Sequence, residues 1–153
     1  MSASIQLTID GLDAVEALLD RLENPDIPLL LDDIGALVVS QTQSRISDDK
    51  AGPDGEAWPE WSARYAKTRH GGQGLLLAEG NPGLLSSITH LVYAGGVDVG
   101  SNLIYAAHHQ FGSEKESGRG SGVPARPYLG LSPDNRDEIE LICDEFVEQL
   151  LKP

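Results

Sequence analysis

Two adjacent histidines, His108 and His109, are the side chains of this sequence with the clearest capacity for chemistry. An imidazole can take up or release a proton near neutral pH and can bind a metal ion. Neighbouring residues on a helix point about 100° apart, so this pair cannot hold one ion between them. No Gly-x-Ser-x-Gly motif supplies a nucleophile. We therefore predict that one imidazole faces the core and the other faces solvent, and that the chain has no catalytic residue.

The sequence also predicts no metal ion and no cofactor. Residues 48–55 read Asp-Asp-Lys-Ala-Gly-Pro-Asp-Gly, but Gly52 stands where a calcium loop needs a ligand, and no glutamate closes the loop. The chain has one cysteine, Cys143, and four scattered histidines, which do not form a zinc motif. Glycine-rich stretches at 72–74 and 118–120 lack the strand-then-helix context of a phosphate-binding loop. We expect Cys143 to be a buried, inert thiol.

The charge of the chain excludes two classes of partner. There are 24 Asp and Glu residues against 11 Lys and Arg, a formal net charge of −13. Binding to nucleic acid requires clustered Lys and Arg, and so does docking on an anionic membrane. Within this acidic chain, Lys115, Arg119 and Arg126 give the segment 113–126 a local positive character. The segment is either a solvated loop or a contact that pairs with an acidic patch on another copy or a partner.

Length and hydropathy predict one domain without a membrane span. A chain of 153 residues with 40% hydrophobic residues can bury a core of its own. No apolar run approaches the roughly 18 residues of a transmembrane helix. The first residues have neither a basic nor an apolar region of the kind that opens a secretory signal. We expect the protein to be made in the cytosol.

The elements that must position these residues follow from hydrophobic spacing and turn residues. A β-hairpin is predicted near 87–100, because Ala94-Gly95-Gly96 supplies a tight turn between two apolar runs. The polar run at 40–44 predicts that the second helix is less buried at its end. Loops 49–57 and 113–122 are predicted to be mobile. The remaining predictions are a strand at 4–9, helices at 13–22, 28–47, 60–68, 103–111 and 134–151, and an extended segment at 124–131.

Five short motifs occur in an order that carries a resemblance. They are Pro-Asp-Gly at 53–55 with Trp58, Leu-x-x-Ser-Ile at 84–88, Val-Asp-Val-Gly-Ser at 97–101, Tyr-Ala-Ala-His-His-Gln-Phe-Gly at 105–112, and Pro-Ala-Arg-Pro-Tyr-Leu-Gly-Leu-Ser at 124–132. This order resembles the phage virion morphogenesis family, the tail-completion and head–tail joining proteins of Mu-like phages and prophages. The likeness covers roughly residues 30 to 150, and its two densest blocks are the last two.

The resemblance implies a structural protein and not an enzyme. It implies a single α+β domain over residues 1–153, with a small, mostly antiparallel sheet packed against two or three helices. Such a protein would complete the tail end or join tail to head through contacts with other tail, neck or connector proteins, as a homo-oligomeric ring. It would be found in the host cytoplasm during assembly and then in the virion. Arg119, Arg126 and Tyr128 are the residues expected at an interface, and the two predicted mobile loops would become ordered on assembly.

Several alternatives remain open from the sequence. The chain could be another connector or a minor tail subunit, an acidic DNA mimic, or a small hydrolase that uses His108 or His109. The carboxylates are distributed without regular spacing, which weighs against the mimic. For a ring that DNA passes through, we hypothesise that the net charge lines the channel and repels the duplex.

Overall fold

The fold is mainly helical with one β-hairpin. The structure is a computed structural model, and it describes residues 12–69, 74–77, 83–113 and 122–152. Within these residues the elements follow in the order α1 (Leu12–Glu23), α2 (Ile27–Ser44), α3 (Ala63–Ala66), α4 (Leu84–Ser87), β1 (Ile88–Tyr93), β2 (Gly96–Ser101), α5 (Ala106–Phe111) and α6 (Pro133–Leu151). The prediction of a small α+β fold with an antiparallel hairpin against helices is confirmed.

The hairpin forms where the turn residues predict it. Strands β1 and β2 pair antiparallel, with Ile88 opposite Ser101 and Tyr93 opposite Gly96. Two residues connect them, and Gly95 has a φ of 95°, a conformation that glycine adopts without a steric penalty. One face of the hairpin lies against α2, and the other faces away from it.

Helix α2 is the element on which the hairpin packs. Its first turn is capped by the Asp26 carboxylate, which accepts a hydrogen bond from the Leu29 amide, and Pro28 lies in the same turn. Gly35 is buried and faces the strands: a Cβ there would lie 2.5 Å from the His90 ring and 2.8 Å from Val97. The absence of a side chain at this position lets helix and hairpin approach closely.

Thr42 near the end of α2 and the turn that follows the helix are buried, although Ser40 and Ser44 are exposed, so the prediction of a less buried end is wrong. A five-residue π-helical turn, Arg45–Asp49, continues α2 and ends at Lys50, which has a φ of 54°. Thr42, Arg45 and Ile46 are buried. Arg45 donates to the carbonyls of Tyr128 and Gly130 and to the Asn135 side chain. The Arg45 guanidinium is buried because distant segments supply its hydrogen-bond partners, whereas the buried Thr42 hydroxyl has none among the described residues.

The terminal helix α6 begins at a capping box. The Ser132 hydroxyl accepts from the Asn135 amide, and the Asn135 side chain accepts from the Ser132 amide. The helix packs against α2 and α1, and Arg21 of α1 donates to the Lys152 carbonyl just beyond its end. The predicted apolar face, which consists of Ile139, Ile142, Phe146 and Leu150, is half-buried, and Leu141 beside it is exposed. Cys143 is also half-buried, so the prediction of a buried thiol is wrong.

The hydrophobic core lies between the end of α2, the segment around Trp58, and the extended segment before α6. It consists of Ile46, Trp58, Leu75, Leu76, Leu84, Ile88, Ala106 and Tyr128.

The predicted loop 49–57 is closed by a bridge between Ala51 and Ala57, and its mobility stays a prediction. The predicted strand at 4–9 and residues 114–121 of the loop 113–122 lie outside the described residues. Of the helices that the structure describes, none is long and apolar enough to cross a membrane.

Candidate protein-interaction site

The two densest sequence motifs, 105–112 and 124–132, are bonded to each other. The Arg126 amide donates to the His109 carbonyl at 2.7 Å, and the Ser113 amide donates to the Val123 carbonyl at 2.8 Å. The Gln110 side chain accepts from the amides of Tyr128 and Leu129 and donates to the Leu129 carbonyl. Prolines keep the second segment extended, so its backbone groups need partners outside a helix, and Gln110 supplies them.

Arg126, which the sequence places at an interface, lies inside the fold. It is 4% exposed, and its Nε donates to the Pro59 carbonyl at 2.8 Å while Nη2 donates to the Glu60 carbonyl at 3.3 Å. Burial lowers the pKa of Arg126, and the nearby Glu60 and Tyr65 partly oppose this effect. The side chain therefore ties residues 59 and 60 to the extended segment. Its role at an interface stays a prediction.

Tyr128 is the most deeply buried aromatic side chain that the structure describes. It is 1% exposed, and its hydroxyl donates to the Ala106 carbonyl at 3.4 Å. Burial raises the pKa of Tyr128, because the phenolate would lose its hydration. Its neighbour Pro127 accepts a hydrogen bond from the Trp58 indole at 2.9 Å. Tyr128 thus anchors the segment in the core. The third predicted interface residue, Arg119, lies outside the described residues.

The two histidines divide as the sequence predicts, with His108 exposed and His109 half-buried. Burial lowers the pKa of His109, and the positive charges of Arg126 and His108 lower it further. The His109 imidazole is therefore neutral at pH 7, and it packs edge-on against Tyr105 at 5.7 Å. Within the described part of the chain, no cluster of His, Cys, Asp and Glu could hold a metal ion.

A cavity of about 370 Å³ opens beside α3, and we call it the arginine cavity. The Arg69 guanidinium lies over the rings of Trp61 and Tyr65, 5.2 Å from each centroid. The described residues that line it include two arginines and no carboxylate: they are Trp61, Ser62, Tyr65, Arg69, Leu76, Leu84, Tyr105, His109, Gly122, Val123, Pro124 and Arg126.

The sequence contains a signal for this cavity that our predictions missed. Trp61, Tyr65 and Arg69 recur at every fourth position, the spacing that stacks side chains on one face of a helix. Only Ala63–Ala66 is helical, yet the three side chains still meet. A search for aromatic and cationic residues at this spacing would have identified Arg69.

Large apolar side chains are exposed on the hairpin and around α5. Ile104, just before α5, is 95% exposed, and Phe111, the last residue of α5, is 79% exposed. Leu91 and Tyr93 are exposed on β1, two residues apart, so they share the face of the hairpin that points away from α2. Exposed apolar side chains of this size are typical of surfaces that other proteins cover.

Comparison with known proteins identifies relatives over most of the chain. The sequence model of the phage virion morphogenesis family matches residues 10–148. The chain is 36% identical over 141 residues to the putative capsid assembly protein G of Escherichia phage Mu. The aligned region covers 88% of this chain and 83% of that protein.

Two proteins of a Mu-like prophage of Haemophilus influenzae are also similar. FluMu G protein 2 is 45% identical over 64 residues, 41% of this chain and 46% of that protein. FluMu G protein 1 is 30% identical over 118 residues, 74% of this chain and 75% of that protein. No solved structure matches.

Proposed function

This chain belongs to the phage virion morphogenesis family, and we propose that within particle assembly it completes the tail end or joins the tail to the head. The family and its Mu-like members support a role in assembling the phage particle. The finer role that we propose is carried out through protein–protein contacts, by a ring of identical subunits that meets other tail, neck or connector proteins. A ring requires that two different patches of the same subunit fit each other.

The exposed apolar side chains are the observation that carries the proposal. The net charge of −13 keeps the chain soluble, whereas exposed apolar side chains such as Ile104, Phe111 and Leu91 lower solubility. Their presence on the surface therefore calls for another explanation. Side chains of this kind contribute binding energy when a partner covers them. The hairpin face and the surroundings of α5 are therefore the surfaces that we assign to assembly.

We propose that the protein is not an enzyme. The Tyr128 hydroxyl serves the fold, because it donates to the Ala106 carbonyl. The His109 imidazole has no carboxylate partner among the described residues that would orient it as a catalytic base. A rival hydrolase would need His108 or His109 for turnover. Replacing both with alanine would then remove activity and leave particle assembly intact, and we expect no measurable turnover from either form.

The exposed carboxylates support a role for charge in the ring. All seven carboxylates of α6 are exposed, from Asp134 to Glu148. We propose that α6 faces the channel of the ring, where these groups repel passing DNA. The protein would act in the host cytoplasm during assembly and remain in the virion, without specific nucleic-acid binding. A neutral or basic channel in the assembled particle would contradict this orientation.

A role in capsid assembly is the second candidate. It is favoured by the name of the phage Mu relative, a putative capsid assembly protein that shares 36% of residues over most of both chains. The two candidates differ in the structures that accumulate when the protein is missing. A capsid assembly protein is needed to build heads, whereas a joining protein is needed only after heads and tails exist.

Electron microscopy of lysates tests both candidates. In a phage that carries this gene, we expect deletion to leave filled heads and separate tails, and the intact gene supplied in trans to restore joined particles. Finished infectious particles in the deletion lysate would contradict the proposed function. Aberrant or absent heads would favour the capsid assembly role instead.

A further inference from the structure

We propose that the arginine cavity binds an extended, carboxylate-bearing peptide segment of another virion protein. The proposal rests on the proposed function for the identity of the partner as a virion component. The chemistry of the ligand is argued from the cavity itself.

The charge of the cavity is opposite to that of the chain. No carboxylate lies among its described lining residues, whereas the whole chain carries 24 Asp and Glu. The two guanidiniums, Arg69 and Arg126, form no ion pair within the described residues, where the one ion pair is His90 with Asp32. Glu60, whose negative charge raises the pKa of Arg126, is exposed and does not line the cavity. A buried positive charge without a counter-ion favours an anionic ligand.

Several polar atoms of the cavity have no hydrogen-bond partner among the described residues. Arg126 is 4% exposed, and its Nη1 donates to none of them while Nε and Nη2 hold backbone carbonyls. The Arg69 Nε and the His109 Nδ1 are buried atoms without a hydrogen-bond partner among the described residues. Buried polar groups are normally paired, and a carboxylate offers two oxygens that accept several hydrogen bonds. A carboxylate therefore complements the positive, incompletely paired side chains that line this cavity.

The walls of the cavity select what surrounds the carboxylate. Trp61, Tyr65 and Tyr105 supply aromatic surface, and Leu76 and Leu84 supply aliphatic surface. A volume of about 370 Å³ suits one carboxylate with a neighbouring apolar side chain and is at the small end of ligand pockets. An α-helix with its side chains is about 10 Å wide and would not enter such a space. The ligand is thus an extended segment in which an acidic residue adjoins an apolar one.

Another protein suits this site better than a second copy of the chain. Two copies each carry −13 and repel each other as they approach. The longest series of exposed carboxylates that the structure describes lies on α6, which is helical and too wide for the cavity. A partner that presents an extended acidic segment has neither disadvantage.

Two short peptides test the carboxylate preference on the unaltered protein. The probes are acetyl-Phe-Glu-Leu-amide and its neutral counterpart acetyl-Phe-Gln-Leu-amide, titrated while NMR follows the Trp61 indole N–H and the Val123 amide. We expect the glutamate peptide to bind about tenfold more tightly, the usual advantage of a charge-assisted over a neutral hydrogen bond. Equal binding of the two peptides, or binding of neither, would overturn the proposal.

A matched pair of variants locates the binding. Arg69→Gln removes a guanidinium from the cavity, whereas Arg64→Gln removes one from the exposed side of α3. We expect the first to abolish most of the tenfold preference and the second to leave it unchanged. Equal effects of the two variants would mean that general charge, and not the cavity, attracts the peptide.

The same experiments separate this proposal from the proposed function and from other occupants. If the peptide preference is absent while deletion of the gene still separates heads from tails, the cavity proposal fails and the proposed function stands. If the preference is present while deletion leaves finished particles, the proposed function fails and the preference of the cavity for a carboxylate stands. A peptide that dissociates an oligomer of the protein would make a second copy the occupant, and one that binds only after residues 114–121 are deleted would make that segment the occupant. Either result overturns the assignment to another protein.

Discussion

Arg126 and Gln110 use their side chains to hold backbone atoms that lie far away along the chain. The sequence predicts the extended segment from its prolines, and it predicts that Tyr128 is available for packing. It does not predict that the Arg126 guanidinium points inward, because its partners are the carbonyls of residues 59 and 60. Every residue has a backbone carbonyl, so the residue types at 59 and 60 do not indicate that they accept hydrogen bonds from Arg126. An arginine in an acidic chain therefore suggests a surface charge until its backbone partners are known.

Replacing Arg126 with lysine tests the importance of that geometry. Lysine keeps the positive charge but cannot donate from two fixed nitrogens to two carbonyls. We expect Arg126→Lys to lower the free energy of unfolding by about 2 kcal/mol, the scale of losing hydrogen bonds from a buried charged group. Urea unfolding measures the change. The control Arg64→Lys, at an exposed position, should stay within about 0.5 kcal/mol of the parent, and a similarly small effect at Arg126 would contradict our account.

His109 should make stability depend on pH. Its folded pKa lies below the ordinary 6.5, so between these two values the unfolded chain binds the proton and the folded chain does not. The free energy of unfolding therefore falls as pH is lowered through about 6.5 towards the folded pKa, and its contribution is constant below that. His109→Gln should remove this part of the pH dependence, and His108→Gln should retain it. Identical pH profiles for the parent and His109→Gln would show that the imidazole does not titrate differently in the two states.

At the scale of elements, the long helices and the hairpin follow closely from the sequence, but the burial of their ends does not. Of the short helices, the one predicted at 60–68 forms only over Ala63–Ala66, and α4 was not predicted. The hairpin was predictable because glycine punctuates two apolar runs, a local signal. The burial of Arg45 was not, because the atoms that make it favourable belong to residues 128–135. Polar residues at the end of a helix have the same composition whether they face water or a distant hydrogen-bond network. Only the tertiary fold distinguishes the two cases.

Gly35→Ala should loosen the contact between α2 and the hairpin. Alanine favours a helix over glycine by about 1 kcal/mol, but its Cβ would lie 2.5 Å from the His90 ring and 2.8 Å from Val97. Overpacking of this kind costs typically 1–3 kcal/mol, and the clash involves both strands, so we expect a net loss of about 1–2 kcal/mol. Thermal unfolding measures it. Ser40→Ala, exposed on the same helix, should be neutral or slightly stabilising, and a stabilised Gly35→Ala variant would contradict the tight packing.

At the scale of the whole molecule, charge is distributed unevenly over the surface. Composition predicts the sum of the charges but not their distribution. In the fold, α1, α2 and α6 display exposed carboxylates, whereas the arginine cavity has none among its described lining residues. The most exposed large apolar side chains, Ile104, Phe111 and Leu91, lie on the hairpin and around α5, and others are exposed on α1, α2 and α6. The sequence could not place these surfaces relative to each other, because their positions depend on how α6 packs against α1 and α2.

Ionic strength should control association of the purified protein. Between about 0.01 M and 1 M salt the distance over which charges act falls from about 30 Å to about 3 Å. If repulsion between copies keeps them apart, the weight-average mass in sedimentation should rise with salt, because the exposed apolar surfaces can then meet. Circular dichroism at both salt concentrations controls for unfolding. A mass that falls with added salt would mean that attraction between opposite charges, and not repulsion, governs contact between copies.

The hydrogen bond between the Ser113 amide and the Val123 carbonyl has a practical consequence. It fixes the two ends of the intervening stretch, so the length of that stretch can change without moving the motifs on either side. Doubling the length of a closed loop costs only about 0.6 kcal/mol more. The position is therefore suited to inserting a short epitope tag, with which the protein could be followed from the cytoplasm into finished particles by antibody labelling.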